Sequence, residues 1–186
     1  MPVGFLTNQQ LRTAAMKFLR EYHPDDTVPV PIEEIIELQF EMDIIPVQDL
    51  QRNFGIEGTL AGDFSGIYVD EFVQNARTNR YRFTLAHEIG HLILHKEHLE
   101  QLGPFGSIDQ WVACLNRMNG SDHDVMEYQG YVFAGYVLVP NHHLERVFIE
   151  NLPGVETLCK IRGKLDTQSG FNWTLNPELT GQSIRS

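Results

Sequence analysis

From about Arg82 to His95 the chain runs without a helix breaker, and Phe83, Ala86, Gly90, Ile93 and Leu94 recur at the spacing of one helical face. Into this apolar run the sequence places His87, Glu88 and His91. A helix so rich in apolar residues must be largely buried, and buried polar side chains are costly unless they find partners. The spacing names one. Residues four apart share a helical face with Cβ atoms about 5–6 Å apart, so His87 and His91 can converge on a single ion. Glu88, about a quarter turn round, faces a water rather than the ion, as a general base must. The pattern is the H-E-x-x-H zinc motif in its required helical context.

A third ligand has to come from elsewhere in the chain. After Asn119-Gly120 a second long helix is predicted, capped by Ser121 or Asp122 and ending before Pro140. Along one stripe it presents Glu127, Gly130, Tyr131 and Ala134, a carboxylate beside small residues that permit close helix approach. Glu127 is the expected third ligand, with Asp124 and His123, one turn upstream, as its rivals. His95 continues the 87/91 stripe; the simplest reading places it in a last turn, against free carbonyls and the helix dipole. His98, His142 and His143 have no partner spacing and read as surface residues. Leu94 and Glu97 stand where a metzincin needs glycine and histidine, which excludes that class.

The rest of the chain reads as a mixed domain. Thr7 and Gln10 form a capping box before a helix near 8–22, and Pro31 opens a short helix carrying Ile32, Ile35, Ile36 and Phe40. Between Asp43 and Asp70 the pattern turns strand-like. Thr59–Gly62 and Gly66–Val69 flank Asp63-Phe64-Ser65 as a hairpin would, and Pro46 confines its own strand to an edge. The expected fold class is α+β, with a small antiparallel sheet. Residues 141–186 read as a mostly helical C-terminal appendage to a 1–140 domain, with helical patterns at 144–149 and 155–165.

The net charge of −11 argues against a broad nucleic-acid surface and suits a cationic partner. No apolar run approaches the roughly 18 residues of a membrane span, and the N-terminus lacks the features of an export signal. Cys114 and Cys159 stand in no metal or disulfide spacing, so a reduced, cytoplasmic setting is expected.

The run Arg80–His95, Arg-Tyr-Arg-Phe-Thr-Leu-Ala-His-Glu-Ile-Gly-His-Leu-Ile-Leu-His, closely resembles the signature of the ImmA/IrrE family of metallopeptidases. Glu127–Pro140 resembles that family's second signature, and a looser likeness extends over about 7–140. The resemblance implies a zincin-like metallopeptidase domain, its small sheet packed on the H-E-x-x-H helix beside a second, ligand-bearing helix. It implies a cytoplasmic zinc-dependent endopeptidase, often from mobile elements or stress regulons, that cuts a helix-turn-helix transcriptional repressor. The metal ligands carry over to His87, His91 and Glu127 and the general base to Glu88; manganese is the alternative ion. Two departures stand out. Gly130 and Tyr131 replace the usual alanine and asparagine, and the chain ends near where the family commonly continues into a further helical segment. Peptide hydrolysis also needs an oxyanion donor, for which Tyr131, Tyr128 and His123 are candidates. The competing expectations are a non-catalytic, metal-stabilised partner that sequesters the regulator, and an ion with a purely structural role.

Overall fold

In the computed structural model, residues 3–102, 107–115 and 120–151 are described. Contacts divide the chain into two units, Met1–His143 and Leu144–Ser186, the second described only as far as Asn151. The predicted 155–165 helix therefore lies outside the described residues.

Helix α1 (Asn8–Tyr22) starts as predicted. Thr7 accepts from the Gln10 backbone and the Gln10 side chain returns to the Thr7 N–H, so two otherwise orphaned donors are satisfied. Its buried stripe is Leu11, Ala15, Phe18 and Leu19. Helix α2 (Ile32–Gln39) follows Pro31 and buries Ile32, Ile35 and Ile36. Strand β1 (Asp43–Val47) leads into a short helix α3 (Leu50–Phe54), closed by Gly55 at φ 75°, a conformation a Cβ disfavours. Strands β2 (Gly58–Leu60) and β3 (Gly66–Asp70) come next, then α4 (Glu71–Ala76), α5 (Thr78–Glu100), α6 (Ile108–Leu115), α7 (Gly120–Leu138) and α8 (Asn141–Asn151).

The sheet has the order β1-β3-β2, and it corrects the expectation of an antiparallel one. The hairpin is present, with Thr59 opposite Tyr68 and Leu60 opposite Ile67, but β1 lies parallel to β3, Asp43 opposite Gly66 through Val47 opposite Asp70. The reason is the connection. The chain passes through α3 and β2 before returning, and such a crossover delivers β3 beside β1 in the same direction. Pro46 does sit on an edge strand, where its missing N–H is harmless. Asp70 ties the far end together: its carboxylate accepts from Phe72 and Val73, capping α4, and from Gln51 at the start of α3.

Helix α5 extends well beyond the predicted 82–95 at both ends. The core lies where it meets α2, α7 and β3 and where α1 packs on α7: Phe18, Ile36, Ile67, Leu85, Ile89 and Phe133 are all at most 2% exposed. Phe18 meets Phe133 edge-on with ring centroids 5.7 Å apart. Two close approaches set the spacing of α5 against its neighbours. A Cβ on Gly90 would come within 3.1 Å of Phe133 Cδ1 and 3.4 Å of Gly130 Cα, and one on Gly58 within 2.5 Å of Thr84 Cγ2. Glycine at these points lets α7 and β2 press directly on the helix that carries His87, Glu88 and His91.

Candidate metal centre

On α5, His87, Glu88 and His91 are buried to within 8% of full coverage, and Glu127 reaches them from α7. His87 Nε2 and His91 Nε2 are 3.0 Å apart, and each lies 3.3 Å from an oxygen of the Glu127 carboxylate. Zinc bonds of about 2.0–2.1 Å place tetrahedral donors about 3.3–3.4 Å from each other, so the two imidazole nitrogens and the carboxylate, which offers one oxygen to each, stand near the spacing that one shared ion requires. The donor set could hold a metal ion. Gly130 makes the convergence possible, since a Cβ there would lie 2.9 Å from His87 Cε1 and Nδ1.

The electrostatics follow from the packing. Burial works against the Glu127 charge, yet hydrogen bonds from His87 and His91 hold its carboxyl far below the usual range. For His87, burial disfavours the charged ring, but the Glu127 hydrogen bond and the Glu88 and Glu127 charges outweigh it and raise its pKa. Glu88 is fixed differently: its Oε2 accepts the Leu60 backbone N–H at 3.0 Å, from the open side of edge strand β2.

His95 is not in a last turn, which corrects the sequence reading; α5 continues to Glu100. Its Nδ1 is 3.1 Å from His91 Nδ1, and its Nε2 is 2.8 Å from Gln129 Oε1. Gln129, wholly buried, in turn donates its Nε2 to the Gly4 carbonyl at 2.9 Å. A carbonyl only accepts, so the amide nitrogen faces Gly4 and the amide oxygen faces His95. His95 Nε2 must then carry hydrogen. Burial lowers the His95 pKa to about 4, so at neutral pH its Nδ1 is bare and accepts from His91 Nδ1–H. His91 Nε2 then faces Glu127 and His87, where it donates to the carboxylate and where, on losing that hydrogen, its lone pair would be available to a metal ion. Gln129 is not among the residues expected at the site, and its one signal in the sequence is a neutral polar residue among the core-facing positions Met126, Gly130 and Phe133.

The side chains open onto a cleft of about 310 Å³. Gly58, Thr59 and Leu60 of β2 form one wall, and Tyr131 and His123 line it from α7. The Tyr131 ring lies 4.5 Å from that of His87 and stacks on Phe83. Arg80 pairs with Glu57 at the rim. The structure does not bring Tyr128 here: its hydroxyl donates to Asn8 at 2.8 Å and its ring stacks on Phe5, outside the cleft. Asp124 is exposed, and neither it nor His123 joins the three-donor group. His143 is buried rather than superficial, and His142 is half-exposed; both turn to Asp26.

No helix among the described residues is long and apolar enough to cross a membrane. Comparison with known proteins agrees with the signature residues. Residues 73–158 match a peptidase family model described as the IrrE N-terminal-like domain. Among solved structures the chain is similar to a Mycobacterium tuberculosis transcriptional regulator, at 15% identity and a TM-score of 0.49. That likeness covers 82% of this chain and 51% of the other, so the chain spans about half the length of the structure it matches. No curated protein matches. The segment that supplies all three donors, the glutamate between the histidines and the wall tyrosine is thus the one that is similar to the IrrE N-terminal-like peptidase domain.

Proposed function

We propose that the chain is a zinc-dependent endopeptidase, with His87, His91 and Glu127 as metal ligands, Glu88 as general base, and an exposed segment of a helix-turn-helix repressor as substrate. The observation that carries this reading is the meeting of two imidazole nitrogens and one carboxylate at 3.0–3.3 Å, beside a second carboxylate and at the floor of an open cleft. A divalent ion held there supplies Lewis-acid polarisation of the scissile carbonyl and acidifies an attacking water.

The protein's own groups do the rest. Glu88, held by the Leu60 N–H through one carboxylate oxygen, takes the water's proton and passes it to the departing amine. Tyr131 and His123 line the cleft and are the remaining oxyanion donors; Tyr131 lies against the His87 ring and is the better placed. Edge strand β2 offers backbone groups to an extended peptide by strand addition. The net charge of −11 suits the cationic surface of a DNA-binding regulator.

The test pairs metal analysis of the purified chain with incubation against a helix-turn-helix regulator encoded beside it, with and without chelator. Glu88→Gln should keep its metal and lose cleavage by about 10²–10⁴-fold. Retained cleavage would overturn the mechanism, and relief of repression without cleavage would point to sequestration.

A further inference from the structure

Away from the cleft, a second group of the same donor types comes together. Asp26 occupies the turn after α1, and His142 and His143 lie in the first turn of α8. His142 Nε2 is 2.8 and 2.9 Å from the two Asp26 carboxylate oxygens, and His143 Nε2 is 3.0 Å from Oδ1. The three donor atoms lie within 4.8 Å of one another. Neighbouring residues on a helix point about 100° apart, so two adjacent imidazoles face one carboxylate only if both side chains are committed to it. An exposed ion pair repays little of that ordering. Here one ring is already ordered, since the His143 side chain is 7% exposed, while Asp26 and His142 stay open to solvent at 52% and 49%.

We propose that Asp26, His142 and His143 form a second binding site, separate from the His87/His91/Glu127 centre, for a late first-row transition-metal dication such as Ni²⁺, Cu²⁺ or Zn²⁺. Donor spacings of 2.8–3.0 Å match neighbouring corners of an octahedron with bonds of about 2.1 Å. Two imidazoles and one carboxylate suit these ions, whereas Mg²⁺ and Ca²⁺ want oxygen. The exposed side leaves coordination positions for water or for a donor from another molecule. A bound ion ties the turn at Asp26 to the first turn of α8 across 116 residues of sequence.

Titration of the full chain with Ni²⁺, read by calorimetry and equilibrium dialysis, tests this. Wild type should take up two ions and His142→Ala one; Asp26→Asn should weaken the second at least tenfold, and Glu88→Gln should leave both. His142 is half-exposed, so its replacement should spare the fold, checked by circular dichroism. Wild type binding a single ion that His142→Ala and Asp26→Asn retain, or both variants leaving two, would show a hydrogen-bonded clamp and no metal site. Loss of the first ion in His87→Ala with the second retained separates this proposal from the peptidase reading, since either can fail alone.

Discussion

Gln129 Oε1 accepts the Nε2–H of His95 at 2.8 Å, and through that one contact the amide decides which nitrogen of His91 is free for a metal. Partners of this kind set ligand orientation and basicity, and their loss typically costs 10–100-fold in metal affinity. Gln129→Leu should therefore bind zinc about 10–100-fold more weakly in competition with a chromophoric chelator. Nitrogen NMR of the same variant should show His91 no longer held in its Nδ1–H tautomer. Unchanged affinity and an unchanged tautomer would remove Gln129 from the metal centre.

Gly58 and Thr84 mark the tightest approach of β2 to α5. A Cβ on Gly58 would sit 2.5 Å from Thr84 Cγ2 and 3.1 Å from the Tyr68 carbonyl. Gly58→Ala should cost about 1–3 kcal/mol, the usual penalty of overpacking, and Thr84→Ser, which deletes the clashing methyl, should recover part of it. A double-mutant cycle in urea measures the coupling. Full additivity would mean that the strand yields freely and does not fix the cleft wall.

Tyr81 gives the molecule an alkaline limit. Burial first, then its hydrogen bond to Glu33 at 2.8 Å, raise the phenol well above its ordinary pKa of 10.0. In the unfolded chain the group ionises near 10, while in the folded chain it keeps its proton. Above pH 10 the unfolded state binds fewer protons, so stability present below that pH falls as pH rises. Denaturation curves between pH 9 and about 11 should show this slope in wild type and less of it in Tyr81→Phe. Equal slopes would discharge Tyr81.

Phe133 is fully buried between α1 and α5. Phe133→Ala should lower stability by about 3–5 kcal/mol, the range for large-to-small changes in a core. Because Gly90 also leans on this ring, metal affinity should fall with it. A loss below about 1 kcal/mol would mean that the core closes over the gap.

Much of the site was legible because it is local. The His87–His91 spacing, the place of Glu88 and the Thr7–Gln10 box are matters of helical pitch, and pitch can be counted. Glu127 was legible as a carboxylate on a stripe with Gly130, although its rivals Asp124 and His123 lay only a turn away. The hairpin between β2 and β3 was readable from its turn, but the partner of β1 was not, since strand direction depends on the path of α3 and not on the strand's own residues.

The sequence by itself determined that a buried helix would present two imidazoles and a carboxylate on neighbouring faces, since a rigid 3.6-residue pitch leaves no alternative. Only the tertiary structure decided which atoms those groups meet. His95 and Gln129 are 34 residues apart, Tyr128 and Asn8 120, His142 and Asp26 116. Contacts at that range come from how helices and loops pack once the core closes. A one-turn difference in that packing would have turned Tyr128 rather than Tyr131 toward the cleft.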